Sequence, residues 1–204
     1  MPGTLFIISA ASGTGKTSLV QALIQDHPSL ILSISHTTRT PRTGELDGIN
    51  YHFTNRTHFE EKIVAGEFLE HAEVFGNWYG TSRTLVEQSL SFDRDVLLEI
   101  DWQGAAQIKS LFPEAVSIFL LPPSLQALEQ RLRSRGKDSE AVIRKRLDSA
   151  MADMSHYEFF DFVVINDQFE QALAELNHIT MASRLRTLSQ RRRFQDIIQK
   201  LLKS

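Results

Sequence analysis

Three features of this sequence point to an α/β fold whose parallel sheet lies between helices. Short apolar runs alternate with amphipathic stretches along most of the chain. The runs are continuously apolar, as in Val96-Leu97-Leu98, which suits strands covered on both faces. Stop signals separate them, with His27-Pro28 closing the first helical stretch and Pro122-Pro123 following the run that ends at Leu120. The 204 residues, 42% hydrophobic and 23% charged, suffice for a buried core without disulfide or metal staples.

The elements follow in order. Residues 5–9 predict a strand and 16–25 a helix. Residues 95–100 predict a second strand, followed by a helical stretch over 103–111. Residues 115–120 and 162–165 predict two more strands, and a helix starts near 168. Strands alternating with helices make a three-layer α/β/α core. Two insertions interrupt it. The first, 36–92, is polar and predicts strands at 50–53 and 68–74. In it, Thr57 with Glu60 has the spacing of a capping box for a short helix ending before Gly66, and Gly76-Asn77 predicts a turn. The second, 124–157, is helical and rich in arginine, with Ser124 to cap its first helix and Gly136 to end it. The core is therefore expected to comprise 1–35, 93–123 and 158–204.

Composition excludes several functions. There is no cysteine, so a disulfide scaffold, a thiolate zinc site, an iron–sulfur cluster and a thiol nucleophile all fall away. The net charge of −3 is not that of a nucleic-acid-coating polycation. No apolar run approaches the ~20 residues that span a bilayer. No Lys or Arg precedes Lys16, so a secretory leader is not expected, and a cytoplasmic location fits. The seven histidines include no H-E-x-x-H and no pair at i, i+4 spacing. The last stretch, Met181–Ser204, has seven Lys or Arg and one acid, Asp196, beside an apolar stripe that includes Leu185, Leu188, Phe194, Ile197, Leu201 and Leu202. It carries no aromatic platform for bases, so packing on the core or on a second subunit is the expectation, and nucleic acid is not an expected partner.

The first motif with chemistry is Ala10-Ala11-Ser12-Gly13-Thr14-Gly15-Lys16-Thr17, between the first strand and the first helix. Strand, loop and helix in that order are the setting of a phosphate-binding P-loop. Ala10 stands where the leading glycine of G-x-x-x-x-G-K-[ST] belongs, and alanine is tolerated there if the backbone φ is negative. The backbone N–H groups of the loop and of the helix N-terminus bind phosphate oxygens. Lys16 would reach the β- and γ-phosphates, and the Thr17 hydroxyl would sit near Mg²⁺. The motif indicates a nucleoside triphosphate without separating hydrolase, kinase and switch.

The second motif runs from Ser35 to Phe53. It holds Arg39 and Arg42 around Pro41, then Gly44, Glu45, Gly48 and Tyr51. Two guanidinium forks that close on one another can clamp a dianionic phosphate, and a Tyr hydroxyl adds a donor. A solvated loop whose arginines pair with Glu45 and Asp47 is the alternative the residues alone leave open.

Here the sequence resembles the guanylate kinases. The pattern S-x-T-T-R-x-P-R-x-G-E-x-x-G-x-x-Y-x-F matches at every fixed position. The likeness extends to Gly76-Asn77-Trp78-Tyr79-Gly80-Thr81, Leu98-Glu99-Ile100-Asp101, Arg131 through Gly136, Arg146-Leu147 and Val164-Ile165-Asn166-Asp167. The resemblance implies a P-loop core, a GMP-binding insertion at 36–92 and a helical lid at 124–157. It implies that Arg39, Arg42, Tyr51 and Tyr79 hold the GMP phosphate, with Glu45 orienting an arginine. It implies that Ser35, Glu70 and Thr81 read the guanine, with Asp101 nearby. Guanine offers N1–H and N2–H₂ as adjacent donors to a carboxylate and O6 as an acceptor to a hydroxyl. Adenine lacks the N1 proton, and a closed site would leave Glu70 unpaired. The resemblance further implies that Arg131, Arg135 and Arg146 close over the ATP phosphates, and that Asn166 lies beside the adenine. Arg133, two residues from Arg131 on a helix, points elsewhere and is left out.

The implied reaction transfers the γ-phosphoryl group of ATP to GMP, and to dGMP as well, with Mg²⁺ and no general base, because a phosphate monoester is largely dianionic at pH 7. His36 and His52 are read as fillers. Two other functions compete. A non-catalytic guanylate-kinase-like module would bind peptides in the GMP groove but would have lost part of the loop and lid, whereas Lys16, Thr17, Arg39, Arg42, Arg131, Arg135 and Arg146 are all present. A kinase for another monophosphate would lack the guanine-reading set. A GTPase would need an N-K-x-D motif, which does not occur.

Overall fold

The first strand of the chain is the middle strand of its main sheet. In a computed structural model, which describes residues 3–134 and 140–203, β1 (Leu5–Ala10) pairs in parallel with β7 (Asp95–Glu99) on one side and β8 (Val116–Leu121) on the other. Outside these lie β2 (Leu30–Leu32) and β9 (Phe162–Ile165), both parallel, giving the order β2-β7-β1-β8-β9. From β1 the chain first fills one side of the sheet, with β2 and β7, and then crosses to the other, with β8 and β9. The crevice at the C-terminal end of β1 is therefore the switch point where such sheets bind ligands.

Alternation within the strands explains the three layers. On one face Phe6, Ile8, Leu97 and Ile118 pack against Leu19, Val20 and Leu23 of α1 (Lys16–Asp26) and Ala172 and Leu176 of α7 (Phe169–Arg184). On the other, Leu5, Ile7, Val96 and Leu98 meet Val86 and Leu90 of α3 (Arg83–Ser91) and Ala105 and Ile108 of α4 (Trp102–Leu111). Both faces of β1 are buried, which is why Leu5–Ile8 is an unbroken apolar run.

The first insertion builds a separate four-stranded sheet, β4-β3-β6-β5, from β3 (His36–Thr37), β4 (His52–Phe53), β5 (Phe68–Val74) and β6 (Asn77–Ser82). Helix α2 (Arg56–Val64) closes it by stacking Phe59 on Phe68, with ring centroids 4.6 Å apart. The second insertion is the helix pair α5 (Leu125–Ser134) and α6 (Glu140–Met154), whose Leu128, Leu132, Ile143 and Ala150 form a small core with Ala11 of the loop. The Ser124 hydroxyl accepts the Ala127 N–H at 3.0 Å, capping α5 as expected. Arg133 pairs with Glu129 and Glu140, away from the loop. Gly136 lies outside the described residues.

Three local expectations need correction. The cap of α2 is Asn55, whose side chain accepts the His58 N–H at 2.8 Å. Thr57 is already inside the helix, and Glu60 is taken by Arg56 at 2.8 Å, so no capping box forms. The β5–β6 turn is centred on Phe75 and Gly76, both at positive φ (49° and 79°), one residue earlier than Gly76-Asn77, because Asn77 already pairs with Val74. The basic C-terminal stretch, helical in pattern, is not one helix: Met181–Arg184 ends α7, and α8 (Thr187–Arg193) and α9 (Gln195–Leu202) follow, broken at Phe194. No helix among the described residues is long and apolar enough to cross a membrane.

Candidate active site

A cavity of about 290 Å³ opens at the end of β1. One wall is the whole segment from Ala10 to Ser18. The opposite wall has Ser35, Tyr51, Glu70 and Tyr79, and Glu99, Asp101 and Asp153 complete it. The sequence separates these groups by up to 143 positions, and the sheet order brings them together.

The loop wall is made of backbone. Gly13 and Gly15 have φ of 95° and 96°, a region that L side chains rarely enter. Space is short as well. A Cβ on Gly13 would press on Leu128 of α5 at 2.9 Å, and one on Gly15 would meet the Asn166 amide at 2.6 Å. Ala10 ends β1 in register with Leu120 and its backbone is extended, so its methyl is accommodated without strain. Helix α1 then begins at Lys16 with its unpaired first-turn N–H groups at the cavity wall. The Lys16 ammonium donates to the Ile100 carbonyl at 3.0 Å, and the Thr17 hydroxyl donates to Glu99 Oε1 at 2.6 Å.

Asn166 and Arg131 brace this loop from behind. The buried Asn166 amide donates to the Thr14 carbonyl at 2.7 Å. Arg131 spans the Thr14 carbonyl at 3.2 Å and the Asn166 carbonyl at 2.9 Å. Helix α5, the loop and the end of β9 are thereby tied at one point. Arg146 is half-buried on α6, and Arg135 lies outside the described residues.

Beside Tyr51 and Tyr79, Arg39 is the organising cation, although neither it nor Arg42 is among the residues that line this cavity. It donates to Glu45 Oε1 at 2.9 Å and stands over the rings of Tyr51 and Phe53, 5.2 and 5.8 Å from their centroids. Burial works against its charge, but the Glu45 carboxylate and a hydrogen bond to Tyr79 outweigh burial and hold the guanidinium above its ordinary pKa. Glu45 also accepts the Arg42 N–H at 2.7 Å. Burial opposes its ionisation, and the contacts to Arg42 and Arg39 bring its pKa below the usual value. Tyr51 and Tyr79 meet edge to face at 5.9 Å. Burial, with Glu99 nearby, pushes the Tyr51 phenol up to about 12, so it stays a neutral donor. Arg42 is exposed.

Glu70 is deeper, only 3% exposed. Its Oε1 accepts the Thr81 hydroxyl at 2.6 Å across the β5–β6 pair. Burial pushes its carboxyl up to about 7, the Thr81 hydroxyl opposes that shift, and the charge of Asp101 adds to it. Asp101 caps α4, accepting the Gly104 N–H at 2.9 Å. His36 packs against His52 and Phe68, and burial with the neighbouring His52 lowers it to about 4, an uncharged packing group.

Two cavity carboxylates were given no role by the sequence reading. Glu99 takes the Thr17 hydroxyl; it stands in the matched run Leu98-Glu99-Ile100-Asp101, of which only Asp101 was singled out. Asp153 reaches the cavity from α6. Burial raises its pKa, the Trp102 indole hydrogen bond opposes that rise, and the Asp101 charge adds to it. Nothing in the sequence around Asp153 marks it, because its partners lie across the cavity.

Phosphate donors on one wall and a buried, carboxylate-floored cleft on the other define a class of protein, the P-loop kinases of nucleoside monophosphates. The comparisons narrow it. The guanylate kinase family model matches residues 3–183. A guanylate kinase of Alcanivorax borkumensis is 56% identical over 200 residues, covering 98% of this chain and 97% of its own length. One from Thiobacillus denitrificans is 54% identical over 192 residues, 94% of this chain and 92% of its own. The crystal structure of guanylate kinase from Anaplasma phagocytophilum superposes with a TM-score of 0.78 at 33% identity, covering 91% of this chain and 88% of that one. The chain belongs to the guanylate kinase family, enzymes that transfer the γ-phosphoryl group of ATP to GMP.

Proposed function

We propose that this chain phosphorylates GMP, and dGMP with it, from ATP, and that the two cavity walls divide the work. The observation that carries this reading is the single cavity shared by the loop and by Glu70. ATP phosphates take the loop amides and Lys16. The GMP phosphate takes Arg39, Arg42, Tyr51 and Tyr79, with Glu45 holding Arg39 in place. Guanine takes Glu70, Ser35 and Thr81, with Asp101 alongside, and the ionised carboxylate of Glu70 accepts the N1 and N2 protons. Residues 36–92 act as the GMP-binding unit, and 124–157 act as the lid over a core of 1–35, 93–123 and 158–204.

The acceptor needs no base, since a phosphate monoester with a second pKa of ~6 is already ionised at pH 7. What remains is positioning and charge. Lys16, Arg39, Arg131, Arg135 and Arg146 supply cations around the transferring group, and closure of the two insertions excludes water. Arg131 is bonded to the loop at the Thr14 carbonyl, which keeps it beside the phosphate-binding segment. Asn166 sits behind that loop and is assigned the adenine side. The Thr17 hydroxyl and the Glu99 carboxylate form an adjacent pair of oxygen donors, which suits Mg²⁺, an ion usually bound through few protein ligands. When bound, Mg²⁺ neutralises charge on the β- and γ-phosphates.

Two further parts belong to this reading. A second copy packing on the C-terminal helices would cover Leu185, Ile197, Leu201 and Leu202, all more than half exposed. Multi-angle light scattering of a Leu201→Lys variant against the parent chain tests it. A cytoplasmic site of action fits an enzyme whose two substrates are metabolic nucleotides.

The decisive experiment follows ADP formation from ATP and Mg²⁺ with GMP, dGMP, AMP, CMP or UMP, with products identified by chromatography. ADP matched by GDP or dGDP, with the other three inert, is the expected result. ADP formed without any acceptor would mean an ATPase, and GMP binding without turnover would mean a non-catalytic module.

A further inference from the structure

Helix α4 carries a glycine that its own backbone does not require. Gly104 lies in the first turn of the helix with ordinary helical φ. Alanine there would favour the helix, since glycine is the weaker helix former. The obstacle to a side chain is Glu70. A Cβ built on Gly104 would collide with Glu70 Oε2 and lie 3.0 Å from its Cδ, whereas its remaining near neighbour, Ile100 Cδ1, is at an ordinary 3.4 Å.

The collision has no easy relief. The other carboxylate oxygen, Oε1, is held by the Thr81 hydroxyl at 2.6 Å. The helix is stitched to β5 beside Glu70, because Gln107, one turn beyond Gly104, accepts the His71 N–H at 3.2 Å and donates to the His71 carbonyl at 2.9 Å. Gly104 itself donates to Asp101 Oδ1. Strand and helix are thus fixed at their closest approach. The group left to move is the Glu70 carboxylate.

We infer that Gly104 is a positioning residue for base recognition, its bare Cα setting where Glu70 Oε2 stands in the cleft. This rests on the reading of Glu70 as the acceptor of the guanine N–H groups. A carboxylate accepting two adjacent donors must present both oxygens in the plane of the base, and hydrogen bonds weaken steeply off their axis. Displacing Oε2 while Thr81 retains Oε1 turns the carboxylate out of that plane.

The test is a double-mutant cycle of Gly104→Ala and Glu70→Ala, reading KM for GMP, KM for ATP, relative rates with GMP and AMP, and Tm. Gly104→Ala is expected to raise KM for GMP about tenfold to a hundredfold, the scale of a lost hydrogen bond to a charged group, with KM for ATP within about twofold. In the Glu70→Ala chain, where no carboxylate remains to be displaced, Gly104→Ala should change neither parameter and should leave Tm equal or higher. That comparison of Tm still reads the contact if the single Gly104→Ala chain does not fold. An unchanged KM for GMP in Gly104→Ala, or the same loss with and without Glu70, overturns the inference. Unchanged preference for GMP over AMP in Glu70→Ala alone overturns the reading of Glu70 beneath it, a result separate from Gly104→Ala having no effect beside a working Glu70.

Discussion

The two walls of the cavity are built in opposite ways. The loop wall is nine consecutive residues, Ala10 to Ser18, and its donors are main-chain N–H groups supplied by the loop and the first turn of α1. The base wall takes a carboxylate from β5, a hydroxyl from β6, the cap of α4 and Ser35 from the segment before β3. The first tolerates a side chain at Ala10, where the backbone is extended, but not at Gly13 or Gly15, where φ is positive and a Cβ has no room. The second concentrates its chemistry in one buried acid whose ionisation burial opposes. Backbone binding is cheap to encode and selects for phosphate. Side-chain binding selects for one base and carries a cost in stability.

The largest effect should come from the one side chain on which the loop depends. Lys16→Ala is expected to lower kcat by ~10²-fold or more, the scale of removing one transition-state donor, with preference for GMP over AMP retained in steady-state assays. Glu70→Ala should do the reverse, reducing the ratio of kcat/KM for GMP over AMP by about a hundredfold while KM for ATP stays near its parent value. If either variant moved both readouts equally, the division between the walls would be lost.

The buried acid also predicts pH behaviour. Glu70 titrates at about 7 in the folded chain against 4.5 ordinarily. If GMP needs the carboxylate, KM for GMP rises about tenfold from pH 8 to pH 6. A Glu70→Gln chain keeps only the shallower dependence of the GMP phosphate itself, whose second pKa is ~6. Stability follows the opposite course. Between 4.5 and 7 the folded chain holds a proton on Glu70 that the unfolded chain has released, so stability falls as pH rises through that window. Tm scans at pH 5 and pH 8 should therefore differ less in Glu70→Gln than in the parent.

The smallest expected effect tests the brace behind the loop. Asn166→Ala removes the 2.7 Å bond to the Thr14 carbonyl. It should raise KM for ATP several-fold, about 1 kcal/mol, and leave KM for GMP unchanged. A change confined to GMP would place Asn166 on the wrong wall.

The loop, four of the five strands of the main sheet and the arginine–tyrosine motif were legible along the chain because each is local. A strand buried on both faces must be apolar throughout, and a phosphate loop needs its glycines and lysine in one contiguous setting. Strands β2, β3 and β6 and helix α3 were not marked in the same way. Two of those strands have only two or three residues, and β6 alternates Trp, Tyr, Gly and Thr for the needs of the cleft. The helix cap expected at Thr57 stands two residues earlier, at Asn55, whose side chain accepts the His58 N–H, and Glu60 pairs with Arg56 instead of closing a box.

Residue type and spacing along the chain were enough to establish a parallel α/β core and to single out a candidate phosphate loop and a candidate basic clamp, since each motif is contiguous in sequence. The depth of Glu70, the pairing of Thr17 with Glu99, the arrival of Asp153 from α6 and the need for Gly104 to be bare were decided only by packing. Each depends on how closely two elements approach across the cavity, a distance to which no single stretch of sequence responds.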